Sequence, residues 1–148
     1  MSKREMLPYQ ITLDVRDTCF CLHVQRAARA VARRYDEALR PVGLTNGQFS
    51  LLMSLNRPEP ATIGMVSKLL AMDRTTLTAA LKPLERRGLL KVTVDRADRR
   101  GRQMTLTPAG RAMLAAALPI WLRMQEATER RVAGSGADRL RADLRALS

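Results

Sequence analysis

Apolar residues recur at steps of three and four positions along the first third of the chain, as they do on one face of an α-helix. The spacing predicts a helix from about Asp14 to Leu39, which Pro41 and Gly43 end. Its apolar stripe consists of Phe20, Val24, Ala27, Val31, Tyr35 and Ala38. Its opposite side carries Arg26, Arg29, Arg33 and Arg34. We therefore expect a long first helix with one packing face and one basic face.

The middle of the chain contains the start and stop signals of three shorter helices. Thr45 is placed to cap a helix to about Leu55, and two prolines make residues 56–60 a loop. Thr62 begins the next helix. The buried face predicted for that helix consists of Val66, Leu69 and Leu70. After a tight turn, a last helix is capped by Asp73 and ended by Gly88, which completes the spacing of a helix-turn-helix.

The helix from Arg74 to Arg87 has two distinct sides at 100° per residue. The side predicted to pack inward consists of Leu77, Ala80, Leu81 and Leu84. The outward side consists of Thr75, Thr78, Ala79, Lys82 and Arg86. Small and hydroxylated residues on that side let the backbone approach a DNA groove. Lys82 and Arg86 are placed to reach phosphates. Arg74 lies in the first turn, where a recognition helix contacts base edges. Pro83 is expected to bend the last turn, and a plain amphipathic surface helix is the alternative.

Two short β-prone runs, residues 89–94 and 102–106, flank a charged loop and predict a β-hairpin. The loop reads Asp95-Arg96-Ala97-Asp98-Arg99-Arg100-Gly101-Arg102. Four arginines around two aspartates repel one another unless a polyanion lies against them. After a helix-turn-helix, such a hairpin is typical of a winged helix whose tip enters the DNA minor groove. Asp98 is then expected to orient Arg100 or Arg96 by a charge-assisted hydrogen bond; a solvated basic loop is the alternative.

The last third of the chain predicts two helices. Thr107-Pro108 starts the first, which runs to about Val132 with an expected kink at Pro119. A coiled-coil seam is predicted along it at Met113, Ala117, Ile120, Met124 and Ala127. Glycines at 134 and 136 precede a final helix with Leu140, Leu144 and Leu147. The fold class predicted is mainly α with a small β-hairpin wing, a winged helix-turn-helix with terminal helices.

Charge and composition narrow the class of partner. The chain of 148 residues has a net charge of +12, and residues 62–110 hold ten Lys and Arg against four Asp and Glu. Such an excess indicates nucleic acid more than a membrane surface. Aromatic residues make up 3% and none lies in the basic region, whereas binders of single-stranded RNA use aromatic stacking. A winged helix that binds protein or RNA is kept as the alternative class.

Other function classes find little support. One histidine and no paired acid and base at useful spacing predict no catalytic site, and no cofactor is expected. No run approaches the roughly 20 apolar residues of a membrane helix, and Met1–Gln10 lacks the apolar core of a signal peptide. We therefore expect a cytoplasmic protein that is not an enzyme.

The motifs resemble the MarR family of bacterial transcriptional regulators over nearly the whole chain. The resemblance is carried by Gly43-Leu44-Thr45 with Gln48-Phe49, Met72-Asp73-Arg74-Thr75-Thr76-Leu77-Thr78, Leu84-Glu85-Arg86-Arg87-Gly88-Leu89, residues 95–100, and Leu106-Thr107-Pro108-Ala109-Gly110. It implies a homodimeric repressor of a palindromic DNA operator, released by a ligand or an oxidant. Residues 1–43 and 108–148 would then form the dimerisation region, and residues 44–107 the DNA-binding domain.

The same resemblance assigns roles to single residues. Arg100 occupies the position that reaches the minor groove, and Asp98 the position that braces it. Positions that contact bases or phosphates are held by Arg74, Thr75 and Thr76. The wing arginines expected to contact phosphates are Arg96, Arg99 and Arg102.

The first helix holds residues for a possible switch. Cys19, Cys21 and His23 have the residue types of a metal site, but on one helix Cys21 lies roughly 160° from the other two, so no metal is expected. Part of the MarR family senses organic hydroperoxides with a first-helix cysteine that receives hydrogen bonds from tyrosines of the partner. Cys21 aligns with that cysteine and Tyr35 with one tyrosine.

Two other tyrosine positions weaken the oxidant-sensing interpretation, because Asn46 and Gln25 occupy them. Two small buried cysteines are the plain alternative. The other switch known in the family is a small aromatic or phenolic acid bound between the dimerisation helices and the winged helix. His23, Tyr35 and the first-helix arginines are candidates to line such a pocket.

Overall fold

The computed structural model describes residues 6–148, so residues 1–5 of the segment inspected for a signal peptide lie outside it. Its helices are α1 Tyr9–Thr18, α2 Phe20–Leu39, α3 Asn46–Ser54, α4 Ile63–Leu70, α5 Arg74–Arg86, α6 Pro108–Arg131 and α7 Ala137–Ala146. Its strands are β1 Ala61–Thr62, β2 Leu90–Val94 and β3 Arg102–Leu106. The chain divides into two compact units, the first ending at Arg34 and the second beginning at Tyr35. No helix in the described part is both long and apolar enough to span a bilayer.

The predicted single first helix is wrong, because the structure has two helices that are interrupted at Cys19. α1 begins earlier than predicted, directly after Pro8, and Cys19 adopts an extended backbone with φ −68° and ψ 111°. The Cys19 sulfur then accepts a hydrogen bond from the amide of Leu22 at 3.5 Å. Cysteine therefore takes the capping place that Ser or Asp usually fills, which sequence rules for caps do not anticipate.

Many apolar side chains of the first unit are exposed. No residue from 6 to 34 is buried. Phe20, at the start of the predicted apolar stripe, is 81% exposed. Further exposed apolar residues in this unit are Met6, Leu7, Tyr9, Ile11, Val15 and Val24. An uncovered apolar surface of this extent is typical of a segment that packs against another chain.

The second unit begins with a well-defined start of α3. Thr45 forms a capping box, in which its side chain accepts from the amide of Gln48 and the Gln48 side chain accepts from the amide of Thr45. Asp36 adds two bonds at the same helix start, from the amide of Asn46 at 2.6 Å and from its Nδ2 at 2.8 Å. The predicted cap at Thr45 is confirmed, and the acidic partner at position 36 was not foreseen.

The Asp36 contact predicts a loss of stability in acid. The two hydrogen bonds from Asn46 hold the pKa of Asp36 below the ordinary carboxyl value of 3.8. A lowered folded pKa stabilises the fold above the unfolded pKa, and this contribution disappears as the pH falls through the folded pKa. At neutral pH, Asp36→Asn is expected to lower the free energy of unfolding by about 1 kcal/mol, since bonds to a charged acceptor are stronger. Urea unfolding from neutral pH to about pH 2.5 measures it.

In that titration the wild-type and Asp36→Asn curves should converge at the acid end. Asp143→Asn is the matched control, because Asp143 is exposed and makes no hydrogen bond to another described residue. A constant difference between wild type and Asp36→Asn at every pH would contradict the proposed charge effect.

The helix-turn-helix follows its predicted caps. Thr62 accepts from the amide of Met65 at 3.2 Å and Asp73 from the amide of Thr76 at 2.8 Å, and Ala71 in the turn adopts a left-handed φ of 51°. One prediction on α4 is wrong, since Leu69 is 69% exposed. The side of α4 that is buried or packs on the core holds Ile63, Val66 and Leu70. Leu69 lies roughly 90° around the helix from the centre of that side.

The predicted hairpin is present and gains a third strand. β2 and β3 pair antiparallel with Val92 opposite Met104, and β1 pairs with β3 on its other edge with Ala61 opposite Met104. The sheet order is therefore β1-β3-β2. With only two residues, directly after the prolines of residues 56–60, β1 gave no strand signal. It ties the start of the helix-turn-helix to the hairpin.

The core is built from leucines of the second unit. Its fully buried large side chains are Leu39, Leu52, Val66, Leu77, Leu84, Leu90 and Met104. Phe49 stacks on Trp121 with ring centroids 6.2 Å apart. On the predicted α6 seam, Ala117 is buried and both Met113 and Ile120 pack on this core. The first half of the seam is therefore used within the chain rather than left for a partner.

α6 continues through Pro119 without interruption, and a turn connects it to α7. Arg141 of α7 pairs with Glu129 of α6 at 2.7 Å and with Asp138. The bond from Arg141 and a second from Gln125 hold the pKa of Glu129 below its ordinary range. Leu144 and Leu147 of the predicted final helix remain 44% and 65% exposed.

Candidate nucleic-acid interface

The outward side of α5 forms a shallow depression of about 360 Å³, lined by Arg74, Thr75, Thr78, Ala79 and Lys82. These residues are exposed, as is Arg86 one turn beyond. Behind them Leu77, Leu81 and Leu84 are buried, and Ala80 packs against the core. The predicted orientation of α5 is confirmed. The helix continues through Pro83 to Arg86, and the bend expected at Pro83 stays a prediction.

The hydroxyl groups at the start of α5 differ in how free they are. Thr76 donates its hydroxyl to Asp73 at 2.7 Å, and its amide and hydroxyl together hold the pKa of Asp73 below its ordinary range. Thr78 donates to the carbonyl of Arg74 at 2.7 Å. The Thr75 hydroxyl makes no hydrogen bond to a residue described here. Thr76 thus serves the cap in the free chain, and the DNA contact predicted for it stays a prediction.

The wing tip, residues 95–101, is folded by its two aspartates. The Asp95 carboxylate accepts from the amide of Ala97 at 2.9 Å and from the side chain of Gln103 at 3.0 Å. Asp98 accepts from the amide of Arg100 at 3.0 Å. The predicted brace therefore needs correction, because Asp98 holds the backbone of Arg100 and no guanidinium. A carboxylate two residues ahead of an amide forms an Asx turn, which competes with the longer-range ion pair.

The wing arginines are left free by this arrangement. Arg96, Arg99, Arg100 and Arg102 are all exposed. Within residues 6–148 none of them forms an ion pair, and Arg102 alone donates to a nearby carbonyl, that of Gly101. The basic residues of α5 are equally unpaired. The winged helix thus presents two basic elements whose cationic groups form no ion pair within residues 6–148, which is the arrangement that attracts a polyanion.

Glycines 64 and 110 and Arg87 were missed as contact residues from the sequence. Gly64 leaves space for the Arg74 guanidinium, and Gly110 lies against the backbone of Leu89. Arg87 donates to the carbonyl of Gly43 at 2.9 Å. All three contacts join positions at least ten residues apart. The only sequence signal available was a glycine inside a predicted helix, which marks close approach without naming the neighbour.

The candidate switch residues make separate contacts. Cys21 is exposed and accepts from the Gln25 side chain at 3.2 Å, so the alternative of two buried cysteines is wrong for Cys21. A ring nitrogen of His23 lies 2.8 Å from the carbonyl oxygen of Cys19. Residues 6–148 hold no cluster of three or more His, Cys, Asp or Glu arranged to bind a metal. In the second unit, the Tyr35 hydroxyl donates to Gln125 of α6 at 2.8 Å.

α2 also carries an open groove in the first unit. Its volume is about 510 Å³, and it is lined by His23, Arg26, Ala27, Arg29, Ala30 and Arg33. Ala27 and Ala30 give this lining an apolar part beside three arginines and His23. Such a lining suits an anion with an apolar body.

Comparison with known proteins places these features in a family. The sequence model of the MarR family matches residues 42–101, from Val42 to the wing tip. The transcriptional regulator MosR of M. tuberculosis, solved in complex with DNA, is 36% identical with a TM-score of 0.77, over 88% of this chain and 93% of MosR. The chain belongs to the MarR family.

Other MarR-type relatives agree with this placement. The transcriptional repressor CouR, solved with a 23-mer DNA duplex, is 30% identical with a TM-score of 0.72, over 90% of this chain and 92% of CouR. The transcriptional regulator SarZ of Staphylococcus haemolyticus is 32% identical over 62% of this chain. That match spans about three fifths of SarZ, 61% of its length. The sequence prediction of a MarR-type winged helix is confirmed, and these relatives are transcriptional regulators, not enzymes.

Proposed function

We propose that the protein is a sequence-specific regulator of transcription that binds duplex DNA as a homodimer. The observation that carries the proposal is the unpaired basic surface formed by the outward side of α5 and the tip of the wing. Membership of the MarR family supports it, as does the presence of DNA in the MosR and CouR structures. A regulator of this kind works beside the chromosome, and we place it in the cytoplasm on that ground.

The proposed contacts divide between the two basic elements. Arg74 and Thr75 read base edges in the major groove, and Arg100 enters the minor groove. Residues assigned to phosphate or supporting contacts are Thr76, Thr78, Lys82, Arg86, Arg96, Arg99 and Arg102. Asp98 acts only by shaping the turn at Arg100, as its hydrogen bond indicates.

The homodimer is proposed from the apolar side chains that the chain leaves exposed. Of the fourteen large apolar side chains exposed in residues 6–148, eleven lie in the proposed dimerisation region, residues 1–43 and 108–148, and three lie in residues 44–107, the proposed DNA-binding domain. Phe20 is 81% exposed and Leu147 65% exposed, and Leu118, Leu122 and Leu144 are each at least 42% exposed. A second copy that covers them would bring two winged helices to the two halves of a palindromic site.

The proposed switch is release from DNA by a small acid. The α2 groove supports this choice, because its arginines suit a carboxylate and its two alanines suit an aromatic or phenolic ring. The alternative is an oxidant acting on Cys21, supported by the exposure of its sulfur and the hydrogen bond from Gln25. We propose that either event lowers DNA affinity and that the protein acts as a repressor.

The function is tested by binding to four nucleic acids at defined salt. An operator is first selected from a random duplex library with the purified full chain. The protein should bind the whole palindromic duplex with a Kd of about 10⁻⁸ M or below, and non-specific duplex at least about 10³-fold more weakly. A half-site duplex should bind far more weakly than the palindrome. The affinity should fall steeply with salt, since every neutralised phosphate adds about −0.9 to the slope of log K against log salt.

The fourth nucleic acid is a single-stranded RNA of the same length as the selected duplex. If the protein binds this RNA more tightly than the selected duplex, the proposed function is wrong and the protein is an RNA-interaction module. Failure to select any duplex, together with capture of a protein partner, would favour a protein-interaction module instead. Equal affinity for half-site and palindrome would contradict the dimer while leaving the DNA-binding role in place.

A further inference from the structure

Gly64 and Arg74 face each other across the helix-turn-helix. Gly64 is the second residue of α4, and Arg74 is the first residue of α5. A methyl group on Gly64 would lie 3.1 Å from Nη2 of Arg74 and 4.0 Å from its Cζ. The end of the arginine side chain therefore occupies the space that any side chain at position 64 would need.

The backbone at Gly64 gives no other reason for a glycine. The described glycines with positive φ are Gly43, Gly88 and Gly136, so residue 64 has a conformation open to any L-residue. Glycine is also an unfavourable choice inside a helix, where alanine is better. The one contact that a side chain at position 64 would meet within 4 Å is the Arg74 guanidinium. The glycine at position 64 therefore serves to leave space for the Arg74 guanidinium.

Arg74 has a long side chain with many rotamers, and ordering them before binding reduces the entropy lost at the interface. The Arg74 guanidinium lies in the space beside α4 that the missing side chain of Gly64 leaves open. We propose that Gly64 is a positioning residue for Arg74, and that its missing side chain sets the direction from which Arg74 reads a base pair. This inference rests on the proposed function, which assigns base reading to Arg74.

Gly64→Ala is expected to displace the arginine and leave the helices in place. The 3.1 Å contact is shorter than the ordinary range of 3.4–4 Å, and its partner is the end of a flexible side chain. The guanidinium therefore moves by a few tenths of an ångström or adopts another rotamer. Discrimination at the base pair that Arg74 reads should fall by about fivefold to tenfold, since a bidentate arginine contact depends on alignment. Affinity for non-specific duplex should not change.

Gly47→Ala is a matched control. Gly47 is likewise the second residue of a helix, α3, and a methyl group there would meet nothing within 4 Å. Both substitutions exchange glycine for alanine in the first turn of a helix, so both should raise Tm slightly. Only Gly64→Ala should alter base preference. Equal base preferences in the two variants would overturn the inference.

A double-mutant cycle with Arg74→Ala separates the possible causes. In the Arg74→Ala background, Gly64→Ala should have no further effect on base preference. A further loss of the same size would mean that the new methyl group meets DNA itself, and would overturn the positioning role. If Arg74→Ala alone leaves base preference unchanged, the base-reading role assigned under the proposed function is wrong, and the inference falls with it.

¹⁵N relaxation of the Arg74 Nε–H in the free protein adds a readout without DNA, and it should show greater mobility in Gly64→Ala than in Gly47→Ala.

Discussion

Replacing Gly110 by alanine is expected to destabilise the winged helix by about 3 kcal/mol, the upper end of the usual range for overpacking. A methyl group at this position would lie 2.0 Å from the carbonyl oxygen of Leu89 and 3.2 Å from Cδ2 of Leu106. The Leu89 carbonyl cannot easily move, because it accepts from the amide of Thr107 at 3.2 Å. The effect opposes the helix propensity of alanine, which alone would favour the variant by up to about 1 kcal/mol.

Chemical unfolding followed by circular dichroism measures this loss, at one protomer concentration for all variants. Gly47→Ala is again the control, with a small gain in stability expected from helix propensity. A Gly110→Ala variant as stable as Gly47→Ala would mean that α6 does not approach the hairpin as closely as the Leu89 contact requires.

Removing the Arg100 side chain is expected to weaken operator binding by about tenfold or more, since a groove-inserted arginine acts in concentrated negative potential. Arg99→Ala should have a smaller effect, of the size of one phosphate contact, and should reduce the salt slope by about 0.9. The tip should remain folded in both variants, because its hydrogen bonds use backbone amides and carboxylates. Titration of labelled operator at several salt concentrations gives both quantities.

Arg57→Ala provides the control for charge. Arg57 is an exposed arginine in the loop of residues 56–60, outside α5 and the wing. Its removal changes the net charge by the same amount and should change affinity little. If Arg57→Ala and Arg100→Ala weaken binding equally, the wing acts only through net charge and does not insert into the groove.

The helix starts could be predicted from the sequence, because the contacts that form them lie within one turn of helix. Thr45, Thr62, Asp73 and Thr107 were all identified as caps, because a cap is a contact between residues three positions apart. The break at Cys19 was missed since its sulfur stands in for the usual oxygen. Local signals were sufficient where the cap residue was Thr or Asp and its partner was the backbone amide three positions on.

The candidate site was predictable in composition but not in its internal contacts. Exposure of the wing arginines follows from their charge, and the outward side of α5 follows from helical periodicity. The roles of Asp98 and Gly64 depend on which of several groups within reach each residue contacts. Asp98 took a backbone amide two residues away instead of a guanidinium, and Gly64 received a side chain from ten residues further on. Sequence spacing alone does not rank such competing contacts.

The hydrogen bonds of Asp95 and Asp98 have a consequence for the kinetics of operator recognition. The tip is already shaped before it meets a groove, so no loop has to be ordered after the first encounter. Capture of the operator then depends mainly on long-range attraction by the free guanidinium groups and should be fast at low ionic strength. Differences between good and poor operators would be expressed in how long the complex lasts rather than in how quickly it forms.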